Sequence, residues 1–258
     1  MKRLIATILT MVLIFGLMGC SGGNNSPPKG LEENPASDFE YRYVAELNGI
    51  EIFNYTGTSI KVRIPEKIEG EPVTSIGATG YLDDYKGTFQ DSAIMEVYIP
   101  NSVTRIAFWA FKNCRELMNL TIGNNVDVDA EAFYYCTGLT SVTIGNNVTL
   151  DYDVFYGCIN LTSVVIGNNV TVGNGAFNAC RALTNVSIRN GSLLNYRAFV
   201  DCTALTSVTM NGDVRVDYEA FSGCTALKSI KVDRGTKSIG DDFFDIATGV
   251  RNFHEVYP

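Results

Sequence analysis

Six cysteines recur at one fixed interval, and they carry the most reactive side chains in the chain. Each is separated from the next by 22 residues, in the series Cys114, Cys136, Cys158, Cys180, Cys202 and Cys224. Cysteines at regular spacing can form disulfides, hold a zinc ion or stay as buried thiols. The chain has one histidine, His254, which is most simply a surface residue near the C-terminus. A His-based metal site or catalytic triad is therefore not expected.

The seventh cysteine, Cys20, follows an N-terminal targeting segment. A basic start is followed by an uncharged run at residues 4–18, which is too short to span a membrane and is typical of a secretory signal. The sequence Leu-Met-Gly-Cys at 17–20 resembles the lipobox of bacterial lipoproteins. This resemblance implies that residues 1–19 are a lipoprotein signal peptide and that Cys20 is the lipid attachment site. An ordinary signal peptide with an incidental cysteine is the alternative.

Composition and charge disfavour several classes of function. The net charge is −8, which disfavours nucleic-acid binding because that needs clustered Lys and Arg. Hydrophobic residues make up 46% of the chain and charged residues 19%, which is unlike a disordered chain or a long coiled coil. No phosphate loop, nucleophile elbow or paired-acid motif is present. We therefore predict a protein that is not an enzyme and that uses no cofactor and no metal ion.

The spacing of the cysteines belongs to a repeat that occupies most of the chain. A second series has the same 22-residue step, namely Phe111, Phe133, Phe155, Phe177, Phe199 and Phe221. Within one unit, Leu139, Val142 and Ile144 indicate a short strand with one buried face, and Val148 and Leu150 indicate a second extended piece. The spacing of Val154, Phe155 and Cys158 suits a single helical or 3₁₀ turn. One such coil has too small a core to fold alone, whereas stacked coils bury each other's faces.

The unit resembles a leucine-rich repeat and, more narrowly, the BspA-type (Treponema pallidum-type) repeat of bacterial surface proteins. The matching stretches are Leu-Thr-Ser-Val-Thr-Ile at 139–144, Ala-Phe-Tyr-Tyr-Cys at 132–136 and Ala-Phe-Ser-Gly-Cys at 220–224. The chain departs from the pattern by one deletion, which shortens most units from 23 to 22 residues. The resemblance covers residues 38 to 258. It implies a leucine-rich-repeat solenoid of right-handed coils of 22–23 residues, with a parallel sheet on one face and short helical or 3₁₀ turns opposite.

We divide the chain on this basis. Residues 20–37 form a lipidated flexible tether, 38–88 a β-rich N-terminal cap with a first degenerate repeat, 89–233 the tandem repeats, and 234–258 a degenerate C-terminal repeat or cap. The five positions directly after the second extended piece, 129, 151, 173, 195 and 217, hold only Asp, Gly or Asn. Those residue types adopt a left-handed backbone or cap a turn.

Stacking constrains what the polar and reactive residues can do. Equivalent residues of neighbouring coils lie about 4.8 Å apart, a spacing that permits a disulfide, but their side chains run parallel, so we favour buried free thiols over disulfides. A linear row with no histidine is a poor zinc site. The acidic clusters at 127–131 and 151–153 could hold calcium, although a solvated acidic edge is the simpler interpretation. In leucine-rich repeats, an asparagine near the position of Asn125, Asn147 and Asn169 bonds the backbone of a neighbouring coil, and contact with a ligand is the alternative role.

Two outward-facing sets of residues are candidates for ligand binding. The first is a flat set of small polar residues on the strands, represented by Ser141, Thr143, Ser163, Ser207 and Thr209. The second is a row of tyrosines, Tyr152, Tyr196 and Tyr218, with Tyr134, Tyr135 and Tyr156 nearby. Exposed tyrosines suit binding because they offer a large contact area at low entropic cost. Partial packing over the coil edge is the alternative.

Resemblance and the anchor together suggest a function. We expect an exported, membrane-anchored monomer on the cell surface that binds protein or glycan ligands, in adhesion to host matrix proteins or other bacteria. The membrane would be contacted through the lipid on Cys20. The alternative is a structural or assembly component of the bacterial envelope without a host ligand.

Overall fold

A computed structural model describes residues 26–77 and 87–232, together with the backbone of a strand at 252–255. The predicted signal peptide, Cys20 and most of the predicted C-terminal segment lie outside the described residues. Nearly all of the described regular structure is β, apart from two 3₁₀ turns at Ala36–Asp38 and Ala45–Leu47. Within these ranges the chain forms no helix with the length and apolar character needed to cross a bilayer.

Each repeat contributes one four-residue strand and one two-residue strand. The strands are β1 (Phe39–Val44), β2 (Gly49–Tyr55), β3 (Lys61–Arg63), β4 (Lys67–Ile68), β5 (Glu71–Ile76), β6 (Glu96–Ile99), β7 (Arg105–Ile106), β8 (Asn119–Ile122), β9 (Asp127–Val128), β10 (Ser141–Ile144), β11 (Thr149–Leu150), β12 (Ser163–Ile166), β13 (Thr171–Val172), β14 (Asn185–Ile188), β15 (Leu193–Leu194), β16 (Ser207–Met210), β17 (Arg215–Val216), β18 (Ser229–Val232) and β19 (Asn252–Glu255). The two predicted extended pieces per coil are both present.

The strands of successive coils pair in parallel and in register. Ser141 of β10 lies opposite Ser163 of β12, and Ile144 lies opposite Ile166, so each residue neighbours its equivalent 22 positions away. In the described part of the chain the four-residue strands, with β3 and β19, make a nine-stranded sheet. The two-residue strands extend the β1-β2-β5 cap into a second, ten-stranded sheet. The chain is therefore the predicted solenoid, with about eight coils. Beside the predicted parallel sheet it has a second sheet, which is parallel between the repeats and antiparallel where β1 pairs with β2 and β4 with β5.

The core is a continuous column along the axis of the rod. Seven phenylalanines from Phe89 to Phe221 stack face to face, with ring centroids 4.6 to 5.4 Å apart and ring planes within 12° of parallel. The strand residues alternate between inward and outward positions, so Val142 and Ile144 are buried while Ser141 and Thr143 are half-buried. The core thus consists of closely similar layers, one for each coil, with the buried Ser192 in place of a valine in one of them.

The segment after each two-residue strand is a series of tight turns. The amide of Tyr134 donates to the carbonyl of Glu131, and that of Cys136 donates to the carbonyl of Phe133. These are the i→i+3 bonds of single 3₁₀-type turns, which confirms the predicted short turns. Other amides of the same segment bond the next coil, as when Phe133 N–H donates to the carbonyl of Val154.

The structure decides between the two roles predicted for positions 129, 151, 173, 195 and 217. The left-handed role was wrong, because the left-handed residues lie two positions later, at Glu131, Asp153, Gly175, Arg197 and Glu219, with φ between 52° and 62°. The capping role holds at Asp151, whose Oδ1 accepts the amide of Tyr152 at 2.7 Å, and at Asp217, which does the same for Tyr218. Gly173 is required by close approach, since a Cβ there would lie 2.5 Å from the carbonyl oxygens of Leu150 and Asp151.

The end of the predicted tether contacts the folded domain. Asn34 and Arg63 exchange two hydrogen bonds, from the Asn34 amide to the Arg63 carbonyl at 3.0 Å and from the Arg63 amide to Asn34 Oδ1 at 2.9 Å. The Arg63 guanidinium also pairs with Glu33 at 3.2 Å. These bonds fix the chain against β3 several residues before the first strand begins.

Candidate functional site

The six repeat cysteines are buried free thiols in the structure. Each Sγ lies 2.9 to 3.5 Å from the carbonyl oxygen of the phenylalanine 25 positions earlier. The thiol therefore donates to a carbonyl of the preceding coil as well as filling space. Burial raises the pKa of the thiols of Cys136, Cys158, Cys180 and Cys202 well above the usual range. Because only the thiolate is a good nucleophile or metal ligand, this column is structural.

The acidic residues lie on the outer face of the ten-stranded sheet and are partly neutralised there. The guanidinium of Arg105 binds Asp129, with Nη2 to Oδ2 at 2.6 Å, and this contact raises the pKa of Arg105. Across the part of the chain that the structure describes, no three His, Cys, Asp or Glu side chains are placed to share a metal ion.

The two asparagines of each Gly-Asn-Asn turn have different roles. One bonds the equivalent side chain of the neighbouring coil, and the other accepts a backbone amide of that coil. Asn125, Asn147 and Asn169 have left-handed backbones, with φ of 60°, 54° and 54°. Their side chains bond each other, as in the 2.9 Å contact from Asn147 Nδ2 to Asn125 Oδ1. The side chains that accept backbone amides of the next coil belong instead to the preceding residue, since Asn124 Oδ1 accepts Asn146 N–H and Asn146 Oδ1 accepts Asn168 N–H. The predicted bond to the neighbouring backbone exists, but it is made one position earlier.

The predicted polar set lies on the outer face of the nine-stranded sheet. Ser141, Thr143, Ser163 and Thr209 are half-buried, and Ser207 is exposed. Ser141 Oγ donates to Asn119 Oδ1 at 2.9 Å across two strands. Around these five residues the surface consists mainly of small hydroxyl and amide groups, whereas the larger Glu96 and Lys231 side chains lie toward the two ends of the same sheet.

The exposed aromatic residues of the repeats gather on another part of the coil. All of them lie in the turns between the two-residue strand and the buried cysteine, and we call them the aromatic edge: exposed Phe108, Tyr135, Tyr152, Tyr196 and Tyr218, with half-buried Trp109, Tyr134 and Tyr156. Sequence reasoning found the tyrosines but missed Phe108 and Trp109. The 22-residue period could have revealed them. Phe108 lies 44 residues, or two coils, before Tyr152 and so occupies the equivalent position, and Trp109 is the next residue.

Rings and cations hold the two ends of the aromatic edge in place. At the N-terminal end, Lys112 Nζ lies 3.3 Å from the centre of the Trp109 ring, and Tyr134 stacks on Tyr156 at 5.0 Å. Partial burial and the nearby Tyr135, Tyr156 and Glu131 groups raise the pKa of Tyr134 to about 12. At the other end Tyr196 and Tyr218 lie parallel, 6.3 Å apart.

Between these ends lies a shallow groove, which we call the central groove. It has a volume of about 300 Å³ and is lined by Asp127, Val128, Asp129, Thr149, Leu150, Asp151, Tyr152, Thr171, Gly173, Asn174 and Asn195. The groove exists because the coil of Gly173 and Asn174 has no large side chain where its neighbours carry Tyr152 and Tyr196. The two predicted ligand sets are thus not brought together, since one belongs to the nine-stranded sheet and the other follows the ten-stranded sheet.

The repeat geometry agrees with a comparison against known families. The signature described as "BspA type Leucine rich repeat region" matches six copies, over residues 85–193 and 149–254. The chain belongs to the BspA-type leucine-rich-repeat family. No curated protein matches the chain.

Two solved structures are similar to this BspA-type chain. The leucine-rich-repeat protein of T. pallidum shares 27% sequence identity, with a TM-score of 0.62, over 76% of this chain and 91% of that one. A leucine-rich cell surface protein of Faecalibacterium prausnitzii A2-165 shares 28% identity, with a TM-score of 0.58, over 81% of this chain and 55% of that one. Both are bacterial leucine-rich-repeat proteins, and both support the solenoid fold described above.

Proposed function

We propose that this BspA-type protein is a lipid-anchored binding module on the bacterial surface, which adheres to host matrix proteins, glycans or other bacteria through the aromatic edge. The observation that carries the proposal is the row of exposed tyrosines on a rigid scaffold. Tyr152 and Tyr218 are 48% and 51% exposed, and such rings offer large contact areas at low entropic cost. The description of the F. prausnitzii relative as a cell surface protein supports the location.

A binding role suits this fold better than an enzymatic one. Leucine-rich-repeat solenoids typically present extended surfaces to partners, and a fold alone does not define a reaction. The six repeat cysteines are buried, so they are poorly placed to act as nucleophiles, and Asp127, Asp129 and Asp151 face an open groove. The alternative function is a structural component of the bacterial envelope. A failed binding test would favour that alternative.

The adhesion proposal predicts saturable binding of the purified full-length chain, held in detergent, to immobilised matrix proteins, glycans or bacterial cells. Replacing Tyr152, Tyr196 and Tyr218 together by alanine should weaken that binding by at least about tenfold, because each lost aromatic contact is worth roughly 0.5–1.5 kcal/mol. Surface plasmon resonance or cell-binding assays measure the change. The matched control is Tyr43→Ala in β1, a tyrosine that is 52% exposed and lies outside the aromatic edge. No saturable binding to any member of the panel would favour the structural role.

The anchor proposal predicts that Cys20→Ser releases the chain from the membrane fraction. Lipidation at Cys20 would hold the protein through buried acyl chains, at about 0.8 kcal/mol per methylene group, and serine cannot accept the thioether-linked lipid. Fractionation with metabolic labelling by a fatty acid measures both partitioning and modification. Ser21→Ala is the control and should remain in the membrane fraction. Unchanged partitioning of Cys20→Ser would contradict the anchor.

A further inference from the structure

We propose that the central groove and the adjoining aromatic edge bind an uncharged glycan chain that lies along the rod. This inference rests on the proposed binding function and names the class of ligand for one site. The aromatic residues are not scattered over the repeats. Four of them, Phe108, Tyr152, Tyr196 and Tyr218, occupy the same position of different coils, so the rings form a line parallel to the rod axis.

The spacing of that line matches a polymer with a regular short repeat. Neighbouring coils advance by about 4.8 Å, which is close to the advance of one sugar ring in an extended β-linked glycan. Tyr152 and Tyr196 are two coils apart, about 10 Å, and Tyr152 and Tyr218 are three coils apart, about 14 Å. Successive rings of one chain can therefore meet successive coils in the same register.

The side chains that line the central groove are of the types that recognise sugars. The apolar face of a pyranose ring stacks on an aromatic ring, and its hydroxyls bond to carboxylate and amide groups. Tyr152 supplies the aromatic wall of the groove and Asp151 a carboxylate. Asn174 and Asn195 supply amides, which both donate and accept hydrogen bonds. Gly173 removes the side chain that would otherwise fill the floor.

Charge decides between neutral and anionic glycans. Asp127, Asp129 and Asp151 all line the groove, and the whole chain carries a net charge of −8. Sulfated or sialylated chains would meet repulsion there, whereas uncharged hydroxyls bond favourably to carboxylates. The open shape also argues against a small free ligand, because such sites usually enclose most of the ligand surface.

The binding geometry is set before the ligand arrives. The backbone amide of Tyr152 donates to Asp151 Oδ1 at 2.7 Å. The Tyr196 ring lies parallel to the Tyr218 ring, and the guanidinium of Arg197 lies 4.9 Å from the Tyr196 ring centre. Arg197 is in turn bound to Glu219 at 2.5 Å. The Tyr196 ring therefore loses little side-chain freedom on binding, which favours affinity for a weakly interacting polymer.

The test measures binding of the full-length chain in detergent to uncharged β-linked gluco-, manno- and xylo-oligosaccharides of increasing length, with heparin fragments as the anionic comparison. We expect affinity for at least one neutral series to rise with length until the glycan spans Tyr152 to Tyr218. Tyr152→Ala should weaken binding about tenfold, a loss equivalent to about 1.4 kcal/mol. Tyr152→Phe should keep most of the affinity, because the ring remains.

Two further variants separate recognition from stability. Asp151→Asn keeps an oxygen that can cap the Tyr152 amide but removes the carboxylate, so it should weaken glycan binding without lowering the melting temperature. Tyr43→Ala should leave binding unchanged. Preference for heparin, or equal binding by Tyr152→Ala and Tyr43→Ala, would overturn the glycan proposal. If no neutral glycan binds while proteins or cells still do, the glycan inference fails and the adhesion function stands; if nothing binds, both fail.

Discussion

Replacing Phe155 by alanine is expected to lower the free energy of unfolding by about 3–5 kcal/mol, the range for removing a fully buried phenylalanine. Phe155 is completely buried and stacks on Phe133 at 5.1 Å and on Phe177 at 5.0 Å. The change therefore opens a cavity between two layers and breaks the aromatic column at its centre. Urea unfolding followed by far-ultraviolet circular dichroism measures the loss.

The control for this experiment lies in the same coil. Tyr152→Ala removes an aromatic ring of similar size from a half-exposed position, and surface changes of this kind usually alter stability by about 0.5 kcal/mol or less. If both variants lost the same stability, the energetic role assigned to the column would be wrong.

The free energy of unfolding is also expected to fall steeply as the pH rises above about 8.5. The native state raises the pKa of the Cys136, Cys158, Cys180 and Cys202 thiols, mainly through burial. The folded protein therefore keeps these protons above about pH 8.5, where the thiols of an unfolded chain ionise. The unfolded state then binds fewer protons than the native state, so rising pH favours unfolding. Each thiol contributes up to about 1.4 kcal/mol per pH unit.

Urea midpoints between about pH 8.5 and 9.5, below the range in which ordinary tyrosines ionise, measure this slope. Cys158→Ala removes one of the four thiols and should give a shallower slope than the unmodified chain. In the same range a thiol reagent should label the native repeat cysteines far more slowly than the urea-unfolded chain. A flat pH profile with fast native labelling would show that the thiols are accessible.

The repeat period made most of the fold predictable. Once Cys158 and its equivalents fixed the 22-residue frame, the alternation of Val142 and Ile144 with polar neighbours was enough to place the strand and its buried face. Parallel stacking followed because a single coil buries too little. The second sheet was harder to foresee, since a pair such as Thr149 and Leu150 has too few residues to distinguish a paired strand from an extended loop.

Backbone detail was less predictable than packing. The residue types at Asp151 and Gly173 suggested left-handed backbone, yet those angles occur at Asp153 and Gly175. Residues such as Glu131 and Arg197 also adopt left-handed backbone angles. Their amides donate to carbonyls of the next coil, and these hydrogen bonds outweigh the intrinsic preference of such residues for a right-handed or extended backbone. Only part of the candidate site could be predicted from the sequence, because the groove depends on how neighbouring coils differ. The tyrosines were found by type, but the central groove depends on what Gly173 and Asn174 lack relative to the neighbouring coils.

Because similar layers pair in register, the number of coils in the rod can change without a change in how the coils pack. Every coil between Phe111 and Phe221 presents the same phenylalanine, thiol and strand to the next, so a whole unit could be gained or lost with both new neighbours already complementary. Each such event would change the length of the rod by about 4.8 Å. It would also shift the number and spacing of aromatic rings along the edge. The length of the rod and the spacing of its exposed rings could thus change in steps while the interior kept the same packing.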